Sequence, residues 1–254
     1  MSEQAELRII GLPGIPEVVP GDDLAELISA SIERAGLTIE PGDILVVTHK
    51  IVSKSEGCLI KLSTIEPSPM AVAWAEQYDK DARQVEVVLR ESKRIVRMDK
   101  GVLISETHHG FICANAAVDA SNVSPDTVCI LPRDPDGSAA ELRDQLTRRF
   151  GVAPGIIISD SFGRPWRAGI VNVAVGVAGL APLSDYRGQH DAAGYELHVS
   201  VLAVADELAA AAELVMNKLD ARPVVLIRGY TSATDSQDGT GADLVIDPAR
   251  NLFP

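Results

Sequence analysis

Residues 156–167, IIISDSFGRPWR, begin with three isoleucines and continue with a carboxylate, two hydroxyls and two arginines. The isoleucine run is short, β-branched and bounded by turn-forming residues, so it predicts a buried strand at 156–159. Asp160 then lies at the carboxyl end of that strand, the edge at which layered α/β proteins usually bind ligands. With Ser161, Arg164 and Arg167 it forms a set that suits a metal-bound phosphate. In the structural alternative, Asp160 and Ser161 cap a turn and both arginines extend over the surface.

Short apolar runs and amphipathic segments alternate irregularly along the rest of the chain. Because three predicted strands follow one another between 102 and 131, the sequence predicts an α+β fold with mixed or antiparallel sheets and flanking helices rather than a regular doubly wound sheet. Segment 171–180 fits a strand or a helix, and 230–241 is predicted to be a loop. Further strands are predicted at 7–10, 44–47, 102–105, 111–114, 128–131, 197–204 and 224–227, and helices at 23–35, 70–77, 85–91, 139–150 and 207–218.

The chain has 254 residues, of which 46% are hydrophobic and only 4% aromatic, so we expect a full core packed mainly by aliphatic side chains. This length allows one large domain or two closely joined lobes. No low-complexity linker or charge block marks a boundary. We therefore expect residues 1–254 to form one cooperative unit, either a single domain or two interleaved lobes.

Acidic residues outnumber basic ones by 36 to 23, which gives a net charge of −13. This balance argues against a nucleic-acid partner, because duplex binding relies on Lys and Arg to neutralise phosphates. An acidic protein that handles anions has to concentrate its cations locally, which favours the two arginines and a divalent metal.

The cysteines, Cys58, Cys113 and Cys129, are odd in number and widely spaced, so they indicate neither a disulfide framework nor a zinc site. A reducing cytoplasm is the expected location. The amino terminus is polar, and no apolar run reaches the roughly 18 residues that cross a bilayer, so no membrane partner is expected.

A second polar cluster, 115–122, follows a predicted strand and contains Asp119 and Asn122, three residues apart. In a turn, this spacing brings both side chains to one side. Asx residues often stabilise turns without further function. Together with Asp160 and Ser161, however, Asp119 provides the hard oxygen ligands that Mg²⁺ or Mn²⁺ accepts, with phosphates and waters completing the shell.

Two further segments are weaker candidates for nucleotide contacts. The turn GLPGIP at 11–16 has backbone amides that suit a nucleotide, although such turns are usually simple connectors. Lys54, placed at a strand–turn junction, is within reach of a phosphate in this interpretation, although an isolated lysine is more often a solvated surface group.

Six blocks stand in order along the chain: GLPGI at 11–15, VSKSEG at 52–57, VDASNV at 118–123, LPRDPDGSA at 131–139, SDSFGRPWR at 159–167 and ADELA at 205–209. Together they resemble the coenzyme F420-0:γ-glutamyl ligase family over essentially the whole chain.

The resemblance implies a GTP-dependent ligase that adds L-glutamate to the terminal carboxylate of F420-0, a deazaflavin precursor with a phospho-acid side arm, and then extends a γ-linked tail. GDP and phosphate leave. It also implies an intertwined homodimer that uses Mg²⁺ or Mn²⁺, with K⁺ aiding further additions.

Carried over residue by residue, the resemblance implies three groups of site residues. Ser161 stands where the family commonly has threonine and supplies an equivalent hydroxyl. The catalytic group is Asp160, Arg164 and Arg167, in which the two arginines are added on chemical grounds, because either one could stabilise the transferring phosphoryl group. The metal ligands are Asp119, Asp160 and Ser161, and the nucleotide contacts are Leu12, Pro13, Gly14, Ile15, His49, Lys54 and Asn122.

The sequence departs from the family pattern in several places. Gly14 replaces a bulkier residue of some members, a change that backbone contacts should survive. His49 stands where some members have a nucleotide-contacting serine, and Lys218 where some supply a further metal-binding glutamate, with Asp220 nearby. The chain ends at Pro254, so we expect a stand-alone form without the reductase-like carboxyl-terminal domain of some relatives.

A carboxylate is a poor acyl donor, so amide formation requires an activated form such as an acyl phosphate, which fits the predicted metal and phosphate groups. Two alternatives remain open. One is a different ligase or kinase that phosphorylates the carboxylate of another acceptor. The other is a non-catalytic nucleotide-binding module. The base that accepts the amine proton is not identified, and the candidates are metal-bound phosphate, Glu56, Glu196 and water.

Overall fold

The computed structural model describes residues 5–232, 234 and 237–251, which form strands and α-helices in an irregular order. The α+β prediction, with mixed sheets and flanking helices, is confirmed. The strands are β1 (Arg8–Gly11), β2 (Ile44–Thr48), β3 (Leu59–Lys61), β4 (Ser92–Asp99), β5 (Val102–Thr107), β6 (Ile112–Ala114), β7 (Thr127–Cys129), β8 (Gly155–Arg164), β9 (Arg167–Ala178), β10 (Ser184–Asp185), β11 (Val201–Leu202) and β12 (Val224–Arg228). The α-helices are α1 (Leu24–Arg34), α2 (His49–Ser55), α3 (Pro69–Tyr78), α4 (Ala82–Arg90), α5 (Pro135–Phe150) and α6 (Val204–Met216).

The largest sheet has five strands in the order β1–β12–β2–β8–β9. Strands β2 and β8 are parallel, whereas each of the other neighbouring pairs is antiparallel. Smaller sheets pair β3 with β7, β4 with β5 and β6, and β10 with β11. The sheet is therefore mixed, and its parallel pair requires a long crossover between β2 and β8.

Both faces of this sheet are buried. Alternate side chains of the strands point to opposite faces, so Leu45 and Ile156 pack with α1 and α5, whereas Val46 and Ile157 pack with α6. The isoleucine run that opens β8 has no solvent exposure. Burying each such side chain stabilises the fold by about 1.5–3 kcal/mol. A further apolar cluster forms around α3, α4, β5 and β7, and includes Ala71, Ala75, Val85, Val88, Leu103 and Val128.

Strands β8 and β9 form a long hairpin with a bulge near its root. Ile158 pairs with Gly176 and the next residue, Ser159, pairs with Ala174, so Val175 is the extra residue. A Cβ atom on Gly176 would lie 2.4 Å from the carbonyl oxygen of Pro135, which shows how closely α5 approaches the hairpin here. The hairpin root is thus fixed against the start of α5.

Some elements differ from the sequence predictions. The seven-residue helix α2 lies where no element was predicted, because it is too short to show a helical period. The predicted strand at 197–204 reduces to Val201–Leu202, since α6 begins at Val204, and the open segment 171–180 belongs to β9. The predicted loop at 230–241 includes 233, 235 and 236, which lie outside the described residues.

No helix within the described ranges is both long enough and apolar enough to cross a bilayer.

Arg228, the last residue of β12, forms a two-pronged ion pair with Asp43, which precedes β2. Its Nε donates to Asp43 Oδ1 at 2.8 Å and its Nη2 to Oδ2 at 2.7 Å. Nη2 also donates to the carbonyl of Thr38 at 2.8 Å. The Asp43 carboxylate is fully buried, and the carbonyl of Asp43 accepts the amide of Gly155 at 2.8 Å. This pair therefore ties together one end of β12, β2 and β8.

The variant Arg228→Met should lower the free energy of unfolding by about 3 kcal/mol, because it leaves the buried Asp43 carboxylate without its cation. Urea denaturation monitored by circular dichroism measures the change. Arg187→Met is the matched control, since Arg187 pairs with Asp185 on the exposed surface and its loss should shift the curve little. Equal shifts for the two variants would contradict the role given to Arg228.

Candidate active site

The carboxyl end of β2 lies beside the middle of β8, because these strands are parallel neighbours in which Thr48 pairs with Ser159. Asp160 therefore lies within β8 and not at the end of a strand, as the sequence predicted, because β8 continues to Arg164 as one arm of the hairpin. Beyond this line β2 gives way to α2, whereas β8 continues outward into the hairpin. A cavity of about 580 Å³ opens at this edge. Its polar lining includes Glu17, Thr48, His49, Lys50, Lys54, Asp119, Ser121, Asn122, Ser159, Asp160, Ser161, Asn172, Glu213 and Lys218.

His49, the first residue of α2, is almost completely buried beside Asp160. Its Nε2 lies 3.2 Å from Asp160 Oδ1, but the contact is not aligned as a hydrogen bond, so Nε2 has no hydrogen-bond partner among the described residues. Its Nδ1 lies 3.3 Å from Ser53 Oγ. The buried hydroxyl of Ser159 likewise has no described partner. Two residues of the cavity wall therefore each carry a buried polar atom that has no hydrogen-bond partner among the described residues.

Asp119 pairs with the next residue of α2. Lys50 Nζ lies 2.8 Å from Asp119 Oδ2 and also donates to the Ser121 hydroxyl. The amide of Ser121 donates to Asp119 Oδ1 at 2.6 Å. Burial acts to raise the pKa of Asp119, but these hydrogen bonds outweigh it and hold the pKa below its usual value. Asp119 is therefore ionised at neutral pH, as a metal ligand has to be.

Ser161 belongs to a closed set of hydrogen bonds that joins the hairpin to α6. Its hydroxyl donates to Asn172 Oδ1 at 2.6 Å and accepts from Lys218 Nζ at 2.7 Å. Asn172 Nδ2 donates to Glu213 Oε2 at 2.9 Å, and Lys218 Nζ lies 2.9 Å from Glu213 Oε1. The cation of Lys218 thus lies directly beside a predicted metal ligand.

The predicted nucleotide segment 12–15 lies partly inside the core. Leu12 is fully buried, and its amide donates to the carbonyl of Val224 at 2.9 Å. The carbonyl of Pro13 accepts from Ser31 Oγ at 2.6 Å, and that of Gly14 from Arg34 at 2.6 Å, so both hold the loop against α1. Within this segment, Ile15 lines the cavity.

The other predicted nucleotide residues, His49, Lys54 and Asn122, all line the cavity. Lys54 lies in α2 rather than at a strand–turn junction, and it is buried rather than solvated. Its ammonium pairs with the carboxylate of Glu17. Asn122 is exposed and has a left-handed backbone with φ of 56°, in the turn that follows Asp119.

Four other residues considered from the sequence are not in the cavity lining. Arg164 and Arg167 are exposed at the tip of the hairpin, where Arg164 donates to the carbonyl of Ala168 at 3.3 Å. Glu56 accepts from Ser138 and Glu196 lies beside His198. The catalytic role of the two arginines stays a prediction.

The cavity residues fit a divalent metal that is shared with a phosphate ligand. Within the described ranges, no three His, Cys, Asp or Glu side chains are grouped to hold a metal by themselves. Mg²⁺, however, is usually held by one or two carboxylates, with substrate phosphates and waters as the remaining ligands. Asp119 and Asp160 provide two carboxylates. Asp220 instead accepts from Asn217 at 2.9 Å and lies outside the lining.

Sequence reasoning missed several cavity residues, among them Lys50, Ser159, Asn172 and Glu213. Lys50 could have been found by applying the strand-edge rule to β2 as well as to β8. Asn172 is a buried amide within an aliphatic strand, which is itself a signal of a polar network. Glu213 lies on α6 and gives no local signal, because its role arises only when α6 packs on β9.

Lys218→Met should increase the affinity of the protein for Mn²⁺ in the presence of GDP several-fold, because it removes a positive charge beside the predicted metal ligands. Titration followed by the electron paramagnetic resonance of free Mn²⁺ measures the affinity without relying on activity. Lys218→Arg keeps the charge and serves as the control. Unchanged or weaker binding in Lys218→Met would contradict the prediction.

Comparison with known proteins places the chain in a family. The family model for F420-0:Gamma-glutamyl ligase matches residues 14–229. A Coenzyme F420:L-glutamate ligase of Methanopyrus kandleri is 46% identical over 97% of both chains. Proteins of the same name are 47% identical in Methanothermobacter thermautotrophicus, over 92% of this chain and 93% of the relative, and 40% identical in Methanocaldococcus jannaschii, over 100% and 99%. A family model that matches most of the chain, together with relatives 40–47% identical over nearly its whole length, shows that the chain belongs to the F420-0:gamma-glutamyl ligase family.

Proposed function

We infer that this protein is a GTP- and divalent-metal-dependent ligase that adds L-glutamate to the terminal carboxylate of F420-0 through an acyl phosphate and then extends a γ-linked tail. The main support is the arrangement of Asp119 and Asp160 in one cavity, each beside a basic side chain from the first turn of α2. The relatives named as Coenzyme F420:L-glutamate ligases supply the acceptor and the amino acid.

In the first step, an oxygen of the acceptor carboxylate forms a bond to the γ-phosphorus of GTP, and the bond from that phosphorus to GDP breaks. Asp119 and Asp160 would hold Mg²⁺ or Mn²⁺, which when bound offsets the negative charge of the phosphates. Lys50 and Lys54 line the same cavity and attract the phosphate chain. Positioning and neutralisation of charge provide most of the catalysis.

In the second step, the amine nitrogen of glutamate forms a bond to the acyl carbon, the bond from that carbon to the phosphate oxygen breaks, and the departing phosphate takes up the proton that the amine loses. The acyl phosphate has to be kept from water, which would hydrolyse it. Apolar side chains of the cavity lining, including Ile15, Ile51, Ile170 and Met216, limit the access of water to the intermediate.

We further propose three properties that rest on the resemblance described above: K⁺ as an aid to further additions, a homodimer, and action in the cytoplasm. The homodimer has additional support in large apolar side chains on the surface, such as Val199, Leu214 and Leu219, which are 87%, 77% and 94% exposed. Three buried free thiols are compatible with a reducing compartment.

Mass spectrometry tests the proposed reaction in mixtures of protein, F420-0, L-glutamate, GTP and Mg²⁺ or Mn²⁺, with each component omitted in turn. Glutamyl mass increments that require both GTP and metal are the expected result. Increments with another carboxylate acceptor but not with F420-0 would favour a different ligase. Nucleotide binding without any product would favour a binding module.

Asp160→Asn should abolish glutamyl addition while leaving the protein folded, because the amide keeps the size of the side chain but loses the charge that attracts the metal. Product formation and the thermal unfolding midpoint are measured together. Asp99→Asn, at an exposed ion pair on β4, is the control and should retain activity. Normal turnover by Asp160→Asn would remove it from the metal site.

A further inference from the structure

A second cavity, of about 420 Å³, shares the β8–β9 hairpin with the first. Asp160 lines the first cavity, and Val173, its partner across the hairpin, lines the second. Phe162, two residues beyond Asp160 on β8, also lines the second cavity. Because residues two apart in a strand are separated by about 7 Å, the two cavities are near neighbours.

Aromatic and aliphatic groups form one part of the second cavity. The rings of Phe111 and Phe162 meet edge to face, with their centroids 6.4 Å apart. Ile112 and Ile246 also line it and are 41% and 51% exposed. Large apolar groups left partly exposed around a concave surface are typical of a site for a flat, apolar ring.

Charged groups form another part of the lining. Lys93 Nζ lies 2.8 Å from Glu106 Oε1, and Arg94 Nε donates to Oε2 of the same carboxylate. Two cations therefore share one anion. Lys93 and Arg94 each have more N–H donors than these contacts with Glu106 use, so an anionic ligand that enters between them finds donors to bind.

Asp206 adds a polar group to the same cavity. Its Oδ1 accepts the amide of Ala174 at 2.9 Å, which fixes the carboxyl group against the hairpin. Burial raises the pKa of Asp206. A carboxyl group in this position suits the N–H and C=O edge of a heteroaromatic ring, because it is able to accept or donate a hydrogen bond according to its protonation state.

We propose that the second cavity binds the acceptor of the ligation, with its flat heteroaromatic ring against Phe111 and Phe162 and its anionic side arm at Lys93 and Arg94. This inference rests on the proposed function. The side arm then extends along the hairpin toward Asp160, where its terminal carboxylate meets the γ-phosphate of GTP. The guanine nucleotide has similar chemistry, but Ile15, Lys54 and Asn122, which are predicted to contact it, all line the first cavity.

Two variants, Phe162→Ala and Arg94→Ala, test the site in the full-length protein. Each should raise the Kd for F420-0, measured by calorimetry, and the KM for F420-0 about tenfold, while the KM for GTP stays unchanged. Arg97→Ala and Met70→Ala are the controls, because Arg97 is an exposed arginine of the same strand and Met70 an exposed apolar residue of α3. Both should behave as the wild type does.

A third variant, Glu106→Gln, should act in the opposite direction. The glutamine keeps the size of the side chain but no longer competes as an anion for Lys93 and Arg94, so the affinity for F420-0 should rise about threefold. An increase of this kind does not result from damage to the fold, which keeps the test informative if Phe162→Ala is unstable.

The outcomes separate this proposal from the proposed function. If the wild type ligates F420-0 but its Kd and KM are unchanged in all three variants, the acceptor binds elsewhere and the ligase function stands. A change in the KM for GTP alone would assign the cavity to the nucleotide and overturn the proposal. If the wild type forms no glutamyl product from F420-0, the proposed function fails and this inference fails with it.

Discussion

The parallel pairing of β2 and β8 is the constraint on which the site depends. In parallel neighbours, the chain leaves both strands at the same edge, so the start of α2 comes to lie beside Ser159 and Asp160. Both strands are buried on both faces, and this burial fixes their register because a slip by one residue would exchange the two apolar faces. The packing of the core thereby sets the position of the polar groups that line the first cavity.

Charge compensation is the second organising feature of the cavity. Asp160 lies beside His49, Asp119 beside Lys50, and Glu213 beside Lys218, so each of these carboxylates has a basic side chain next to it. Partly buried carboxylates without such partners would be costly to keep ionised. The paired arrangement keeps carboxylates and basic side chains together in one cavity, within a protein whose net charge is −13. In the proposed reaction, these basic groups offset the repulsion between the protein and a phosphate ligand.

The sequence predicted the features that depend on local pattern. The isoleucine run predicted β8, and the polar residues after it predicted where Asp160 and Ser161 would lie. Helix α2 was not predicted because seven residues are too few to show a helical period. Strand β9 remained ambiguous because a glycine, Gly176, interrupts its apolar pattern. The close approach of Pro135 requires a glycine at that position. The network around Asn172 and Glu213 depends on the packing of α6 against β9, which no local pattern contains. Arg164 and Arg167 were placed by proximity in sequence to Asp160, but the hairpin carries them outward to its tip.

The bulge at Val175 divides the hairpin into a root, which lies in the core, and an outer part, which leads to the tip. At the root, the strands are held by the core and by Asp136 of α5. The Oδ1 of Asp136 accepts the amides of Val177 at 2.8 Å and Gly241 at 2.6 Å. In the outer part, the strands extend away from Asp136 and carry Asp160 on β8 and Val173 on β9. Any change in the angle between the outer part and the root would displace Asp160 and Val173 together, and with them a wall of each cavity. The same pair of strands therefore forms one wall of both cavities, so the position of the hairpin sets the width of each.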